Sequence, residues 1–410
     1  MSISFKFVRS SCVMQKILTT VTAIVLFLSA SIFCSRVATA CPKYIDEPKK
    51  FGSVKIYFED TTTVEYQLMK YKLDSFYRIQ VAGGFNGSVL IGYQGHIIYE
   101  RYFGYADKGT GRRLTHDASV QLASTSKTFT ATAIMYLHQH KYLNIDHKVK
   151  DYLPNFPYAN VTIKMLLNHR SGIPDYLKWY ARYRKNTMTP IYNDELMSMF
   201  VQYKPGLEFS PDTRFKYSNS NYAILARLIE EVTEMTYKDF MHQYFFEPMG
   251  MKNTFVYDPA EGLPGKATKS YRYNWVEYPV MFADGVYGDK GIYSTVRDMY
   301  RWDQSFYFYE FLDSNTTEYA YGPCSFERPG IKNYGLGWRM YCYPDGDKVV
   351  FHNGWWHGNN TVFLRFIKDN FTIIVLGNKY NKNIYNHGPA LYRLVNNSPL
   401  SSGFEEEGFE

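Results

Sequence analysis

Gln121-Leu-Ala-Ser-Thr-Ser-Lys-Thr-Phe-Thr-Ala131 carries Ser124 and Lys127 three residues apart, at the head of a run that reads as a helix to about His140. Residues three apart share a helical face, so the Ser124 hydroxyl and the Lys127 amine come within reach of one another. A serine hydroxyl is a poor nucleophile until a base takes its proton, and a lysine kept unprotonated by its surroundings can be that base. A Ser-x-x-Lys string arises about once or twice by chance in a chain of this length. The flanking sequence must therefore decide between catalysis and a solvated helix start.

Upstream, Val64 to Arg78 has helical spacing, with Leu68, Tyr71, Leu73 and Phe76 toward a core. Ser88-Val-Leu-Ile-Gly-Tyr93 and His96-Ile-Ile-Tyr-Glu-Arg-Tyr102 flank Gln94-Gly95, the signature of a hairpin. Residues 141–260 are mostly helical, with good stretches at Val161 to Asn168 and Asn219 to Val232. Pro and Gly punctuate them at Ser171-Gly-Ile-Pro174 and Lys204-Pro-Gly206. Strand character returns in Lys348 to Phe351, Thr361 to Phe366 and Phe371 to Leu376, and a last helix spans Pro389 to Val395. Strands at both ends with helices between them predict an α+β fold. One antiparallel sheet is built from both chain ends and flanked by helices, with an inserted, mostly helical lobe and a cleft between.

Two further motifs join the first. Tyr217-Ser218-Asn219 lies on the loop before an apolar helix, where a phenol can relay a proton and an amide can orient a lysine or a substrate carbonyl. His352-Asn353-Gly354 ends a strand. There the glycine lets a substrate backbone approach, and the Trp355 N–H, with that of Ser124, can form an oxyanion hole.

With these residues the chain resembles the serine hydrolases that include class C β-lactamases, D-alanyl-D-alanine peptidases and related esterases. The resemblance covers roughly residues 80–395. It extends to Phe85–Ile91, Leu166–Tyr176, Pro248–Thr254, Gly288–Thr295 and Tyr334–Trp338. It implies a β-lactamase/transpeptidase-like fold over 63–397 and hydrolysis of amide or ester bonds through an acyl-enzyme. D-amino-acid peptides, β-lactams and esters are the substrate classes. By the same resemblance Ser124 is the nucleophile, Lys127 its base, Tyr217 the proton relay and Asn219 its neighbour. His352 stands where many members have lysine, and Gly354 and Trp355 line the substrate. Asn353 replaces a usual hydroxyl residue, and Trp355-Trp356 favour a flatter or more apolar acyl group. The alternative is a silent homologue that binds peptidoglycan or a partner. No cofactor and no metal are implied. His138-Gln-His140 with Asp146-His147 echoes a zinc motif, yet residues two apart on a helix point to different faces.

Lys6, Arg9, Lys16 and Arg36 supply four of the formal charge of +7. The remaining +3 gives no argument for nucleic acid. Residues 1–40 read as a signal peptide: Lys16 precedes an apolar run from Ile17 to Phe33, and Ala38-Thr39-Ala40 precedes Cys41. Cys41 suggests attachment of a lipid, so the expected location is the envelope of a bacterial cell, periplasmic or membrane-anchored. Residues 41–62 read as a linker and 398–410 as an acidic disordered tail. Cys324 and Cys342 are left in the exported body, where a disulfide is permitted.

Overall fold

Period-two alternation of apolar residues builds the frame of the molecule. The computed structural model describes residues 45–48, 56–58, 63–183 and 188–396. Its main sheet contains β1 (Tyr57–Phe58), β2 (Gly87–Tyr93), β3 (His96–Phe103), β4 (Lys332–Tyr334), β5 (Arg339–Cys342), β6 (Lys348–Trp356), β7 (Asn359–Phe366) and β8 (Phe371–Gly377). Their order is β1-β3-β2-β8-β7-β6-β5-β4. The two chain ends meet in its middle, where β2 lies antiparallel to β8 from Gly87↔Gly377 to Tyr93↔Phe371. The sheet is mixed rather than purely antiparallel, because β1 runs parallel to β3. That edge strand falls inside the segment read as a linker. The 1–40 segment with Cys41, most of the linker and the 398–410 tail lie outside the described residues.

Both faces of the sheet are covered, which is why β7 and β8 are buried along their whole length. On one face Val89, Ile91, Val349, Phe351, Val362, Leu364, Ile373 and Val375 pack beneath α1 (Val64–Ala82), and Leu391 from the last helix joins the same core. Thr63 caps α1 by accepting the Tyr66 N–H. Its buried positions are Leu73 and Tyr77, while the expected core residues Leu68 and Tyr71 are 55% and 66% exposed. At about 100° per residue, positions 68 and 71 point well away from a stripe that runs through Leu73 and Tyr77. The sequence offered several apolar faces, and the sheet selected one.

α2 (Ser126–Gln139) packs on α3 (Asn219–Thr233), and α4 (Val296–Ser305) covers the other face of β2 and β8, before α5 (His387–Asn396) closes the chain. Phe129 of α2 stacks on Trp302 of α4 with ring centroids 4.1 Å apart. Arg365 of β7 is fully buried and pairs with Asp303 of α4. Such a pair is tolerated in the interior when its remaining donors are also bonded, and here they reach the Asp303 carbonyl and the Tyr321 hydroxyl. The inserted lobe is helical as expected, but in short pieces at 163–167, 176–179, 193–203, 219–233 and 237–241. Cys324 and Cys342 are both free thiols. Among the described residues no helix is long and apolar enough to cross a membrane.

The strand bearing His352 does not end at Gly354. β6 continues to Trp356 because β7 goes on pairing with it, through Gly354↔Thr361 and Trp355↔Asn360. The glycine also has a different partner from the one expected. A Cβ at Gly354 would lie 2.2 Å from the Leu122 carbonyl oxygen and 2.4 Å from the Thr361 hydroxyl. The close approach is made by the protein's own backbone beside Ser124. Gly354→Ala is expected to cost about 1–3 kcal/mol of stability, as overpacking does. It should also push the turn at Ser124 out of place. Urea denaturation and a serine-directed acylation probe check the two effects.

Candidate active site

The chain enters the site through a short strand at Val120–Gln121, makes one tight turn at Ala123–Thr125, and starts α2 at Ser126. Ala123 takes φ = 50°, a region that costs a residue with a Cβ about 1–2 kcal/mol. The turn is pinned from outside. The Thr125 hydroxyl donates to the His352 carbonyl and the Thr361 hydroxyl to the Leu122 carbonyl, at 3.2 and 2.8 Å. The result is selective exposure: from Val120 to Leu137 every residue is buried except Ser124.

Lys127 lies one turn on, with no exposed surface. Its Nζ contacts Ser124 Oγ at 3.1 Å, Asn219 Oδ1 at 2.8 Å and the Asp289 carbonyl oxygen at 2.8 Å. Burial disfavours the ammonium and holds the amine down at about 8, against the pull of the Asp289 and Asp175 carboxylates; Arg339 pushes the same way as burial. About a tenth of Lys127 is thus uncharged at pH 7, far more than of an ordinary lysine, and its amine is within hydrogen-bond reach of the serine oxygen.

Tyr217 comes from the loop before α3, and Asn219 opens that helix. The Tyr217 ring centre stands 4.9 Å from Lys127 Nζ. Its hydroxyl is buried with no partner of ordinary hydrogen-bond geometry. Burial raises its pKa, while the Arg339 guanidinium, 5.4 Å from the ring centre, and the neighbouring Ser124 ease its ionisation. Asn219 is the first residue of α3. Its amide is oriented by Asp175, whose Oδ2 accepts from both the Asn219 backbone N–H and Nδ2. Asp175 Oδ1 meanwhile caps the helical turn at 176–179. Burial pushes the Asp175 carboxyl up, against the N–H donors of Asn219 and Leu177.

His352 is fully buried, and both its nitrogens are bonded: Nδ1 to the Asn353 carbonyl at 2.8 Å and Nε2 to the Tyr334 hydroxyl at 3.3 Å. Its ring centroid lies 6.3 Å from that of Tyr217. Gly354 abuts residues 122–123. Trp355 is 48% exposed, and its indole N–H donates to the His357 carbonyl. Ser124, Lys127, Tyr217 and Asn219 therefore converge on one point, with His352 and Gly354 packed directly behind and Trp355 at the rim. Sequence reading missed Asp175, Asp289, His169, Tyr334 and Arg339. The first four lie within segments that carried the family resemblance, yet nothing in them singled out a role. His138, His140 and His147 do not gather; His140 bonds to Tyr136 and His147 to Tyr152. Among the described residues no group of three or more His, Cys, Asp or Glu side chains could hold a metal ion.

Known proteins resemble this chain over most of its length. The sequence profile of the beta-lactamase family matches residues 77–395. A penicillin-binding protein of Bacillus subtilis strain 168 is 34% identical over 313 residues, 72% of this chain and 68% of its own. The D-aminopeptidase of Brucella anthropi is 25% identical over 66% of this chain, which spans about half (52%) of that protein. The crystal structure of a penicillin-binding protein from Bacillus halodurans superposes with a TM-score of 0.69 at 22% identity, covering 78% of this chain and 98% of that one.

Asp175→Asn is expected to loosen the Asn219 amide that faces Lys127. A hydrogen bond to a charged group is worth about 1.5–3 kcal/mol. Acylation should therefore slow by roughly 10- to 100-fold. Removing a carboxylate that favours the Lys127 ammonium should also move the acid limb of the rate profile to lower pH. Stopped-flow acylation across pH measures both.

Proposed function

The chain belongs to the beta-lactamase family of serine hydrolases, and from that premise we propose that Ser124 is its nucleophile and Lys127 the base that activates it. The carrying observation is the 3.1 Å contact between Lys127 Nζ and Ser124 Oγ, made by a wholly buried amine held down at about 8. In this reading Ser124 Oγ attacks the substrate carbonyl carbon and its proton passes to Lys127 Nζ. The negative oxygen is met by the backbone N–H groups of Ser124 and Trp355. The proton then reaches the leaving group through Tyr217, whose hydroxyl lies beside Ser124 with no partner of ordinary hydrogen-bond geometry among the described residues. The same phenol activates the water that releases the acyl group. Asn219, held by Asp175, keeps Lys127 pointed at the serine.

The substrate is a small molecule or peptide with a scissile amide or ester. D-amino-acid peptides of peptidoglycan origin are favoured by the relatives named as a penicillin-binding protein and a D-aminopeptidase. The exposed indole of Trp355 at the rim supports a flat or apolar acyl group. An exported enzyme, periplasmic or held to the membrane by a lipid on Cys41, accords with the apolar run 17–33 and the small residues before Cys41.

Ser124→Ala should abolish labelling by fluorescent penicillin and fluorophosphonate probes without unfolding the protein; turnover in that variant would sink the assignment. Lys127→Ala should slow acylation by orders of magnitude. In the wild type the base must be unprotonated. Acylation is therefore expected to rise about tenfold per pH unit up to a plateau near pH 8. A panel of nitrocefin, a D-Ala-D-Ala peptide and p-nitrophenyl esters then sorts the substrate classes, and no labelling at any pH would favour the silent homologue.

A further inference from the structure

We infer that Tyr334 is a positioning residue that locks His169 and His352 in opposite, uncharged tautomers, so that β6 brings a neutral imidazole and not a cation to the site. The inference rests on the reading of the site at Ser124 only for its kinetic consequence.

Backbone groups decide the protonation of each ring. His169 Nδ1 receives the Ser218 backbone N–H at 3.3 Å and the Asn221 amide at 3.0 Å. An N–H can only donate, so Nδ1 carries no hydrogen, and the ring proton is on Nε2. That nitrogen lies 3.2 Å from the Tyr334 hydroxyl and donates to it. His352 Nδ1 faces the Asn353 carbonyl at 2.8 Å. A carbonyl can only accept, so here Nδ1 bears the hydrogen and Nε2 is the acceptor. The Tyr334 hydroxyl, 3.3 Å from His352 Nε2, donates to it. One directed chain results: His169 Nε2–H to Tyr334, Tyr334 O–H to His352.

Protonating His352 would put a second N–H against the Tyr334 oxygen and break the directed chain, turning the phenol's own hydrogen away from His352 toward the Tyr222 hydroxyl. All three side chains are buried. Burial pushes both imidazoles well below the ordinary histidine range, and the positive groups facing them push further: Arg339 from β5 and Lys127 from α2. The other titratable neighbours are phenols, Tyr217 and Tyr334 around both rings and Tyr222 against His169. The chain also fixes the proton relay. His169 packs against Tyr217 with centroids 4.3 Å apart and planes tilted by 38°, and it holds the Ser218 N–H next to it.

Nitrogen-15 spectra of the imidazoles in the full chain test this, with His169→Gln and His352→Gln assigning the signals. The wild type should show His169 protonated at Nε2 and His352 at Nδ1, both unchanged from about pH 5 to 8, where an ordinary histidine titrates. A His352 ring protonated at Nε2, or one titrating in that range, overturns the inference. Tyr334→Phe removes the donor to His352 Nε2 and the acceptor of the His169 Nε2–H, while burial, Arg339 and Lys127 still keep both rings uncharged. The signals of both Nε2 atoms should therefore shift, and kcat/KM should fall roughly tenfold, as the loss of one hydrogen bond gives, with its acid limb still about tenfold per pH unit. Tyr334→Phe spectra that superimpose on the wild type at both nitrogens, or an unchanged kcat/KM, overturn the positioning role. The spectra need no turnover, so failure of the Ser124 assignment would leave them readable on their own.

Discussion

An amine without water must find its hydrogen bonds inside the protein, and Lys127 finds three acceptors within about 3 Å, a distance at which such bonds are strong. Each comes from a different part of the chain: a turn, the start of α3 and the loop before Ile292. The lobes are arranged so that these oxygens meet. Were one displaced, a buried polar group would lose its partner at a cost of about 1–3 kcal/mol. This makes the position of the amine a property of the whole fold. Its lowered basicity follows from the same enclosure, since the walls that exclude water are also what disfavour the charge.

The neighbouring groups extend this logic outward. Asp289 lends Lys127 its carbonyl while its carboxylate takes the Tyr176 hydroxyl and the buried Lys290 amine. Asp175 fixes Asn219 from the other side. The site is thus ringed by polar groups that are mutually satisfied, the condition under which a buried network adds rigidity rather than cost. Tyr217 departs from this, its hydroxyl buried beside Ser124 with no partner of ordinary hydrogen-bond geometry among the described residues. A group left unsatisfied in such a place is a reasonable station for a travelling proton.

Much of this was readable in the chain. The three-residue spacing of Ser124 and Lys127, the hairpin at Gln94-Gly95 and the β-branched runs near the C-terminus depend on local periodicity, and local periodicity is what sequence displays best. What escaped depends on distance. The Asp289 carbonyl is a backbone atom with no side-chain signature. The burial of Leu73 and Tyr77 instead of Leu68 and Tyr71 was settled by the sheet beneath them. The extension of β6 to Trp356 reflects pairing with β7, and Gly354 answers to residues more than 200 positions earlier. The roles of Tyr334 and His169 likewise come from long-range contact.

The pins on the turn at Ser124 come from Thr361 and the His352 carbonyl, separated from it by 239 and 227 residues. During synthesis the ribosome releases Ser124 long before either exists. Contacts of such sequence separation close late, so the nascent polypeptide carries a serine and a lysine with nothing to hold them at attacking distance. The pinned turn is complete only when β6 and β7 slot into the sheet, and a product that ends before His352 lacks both pins.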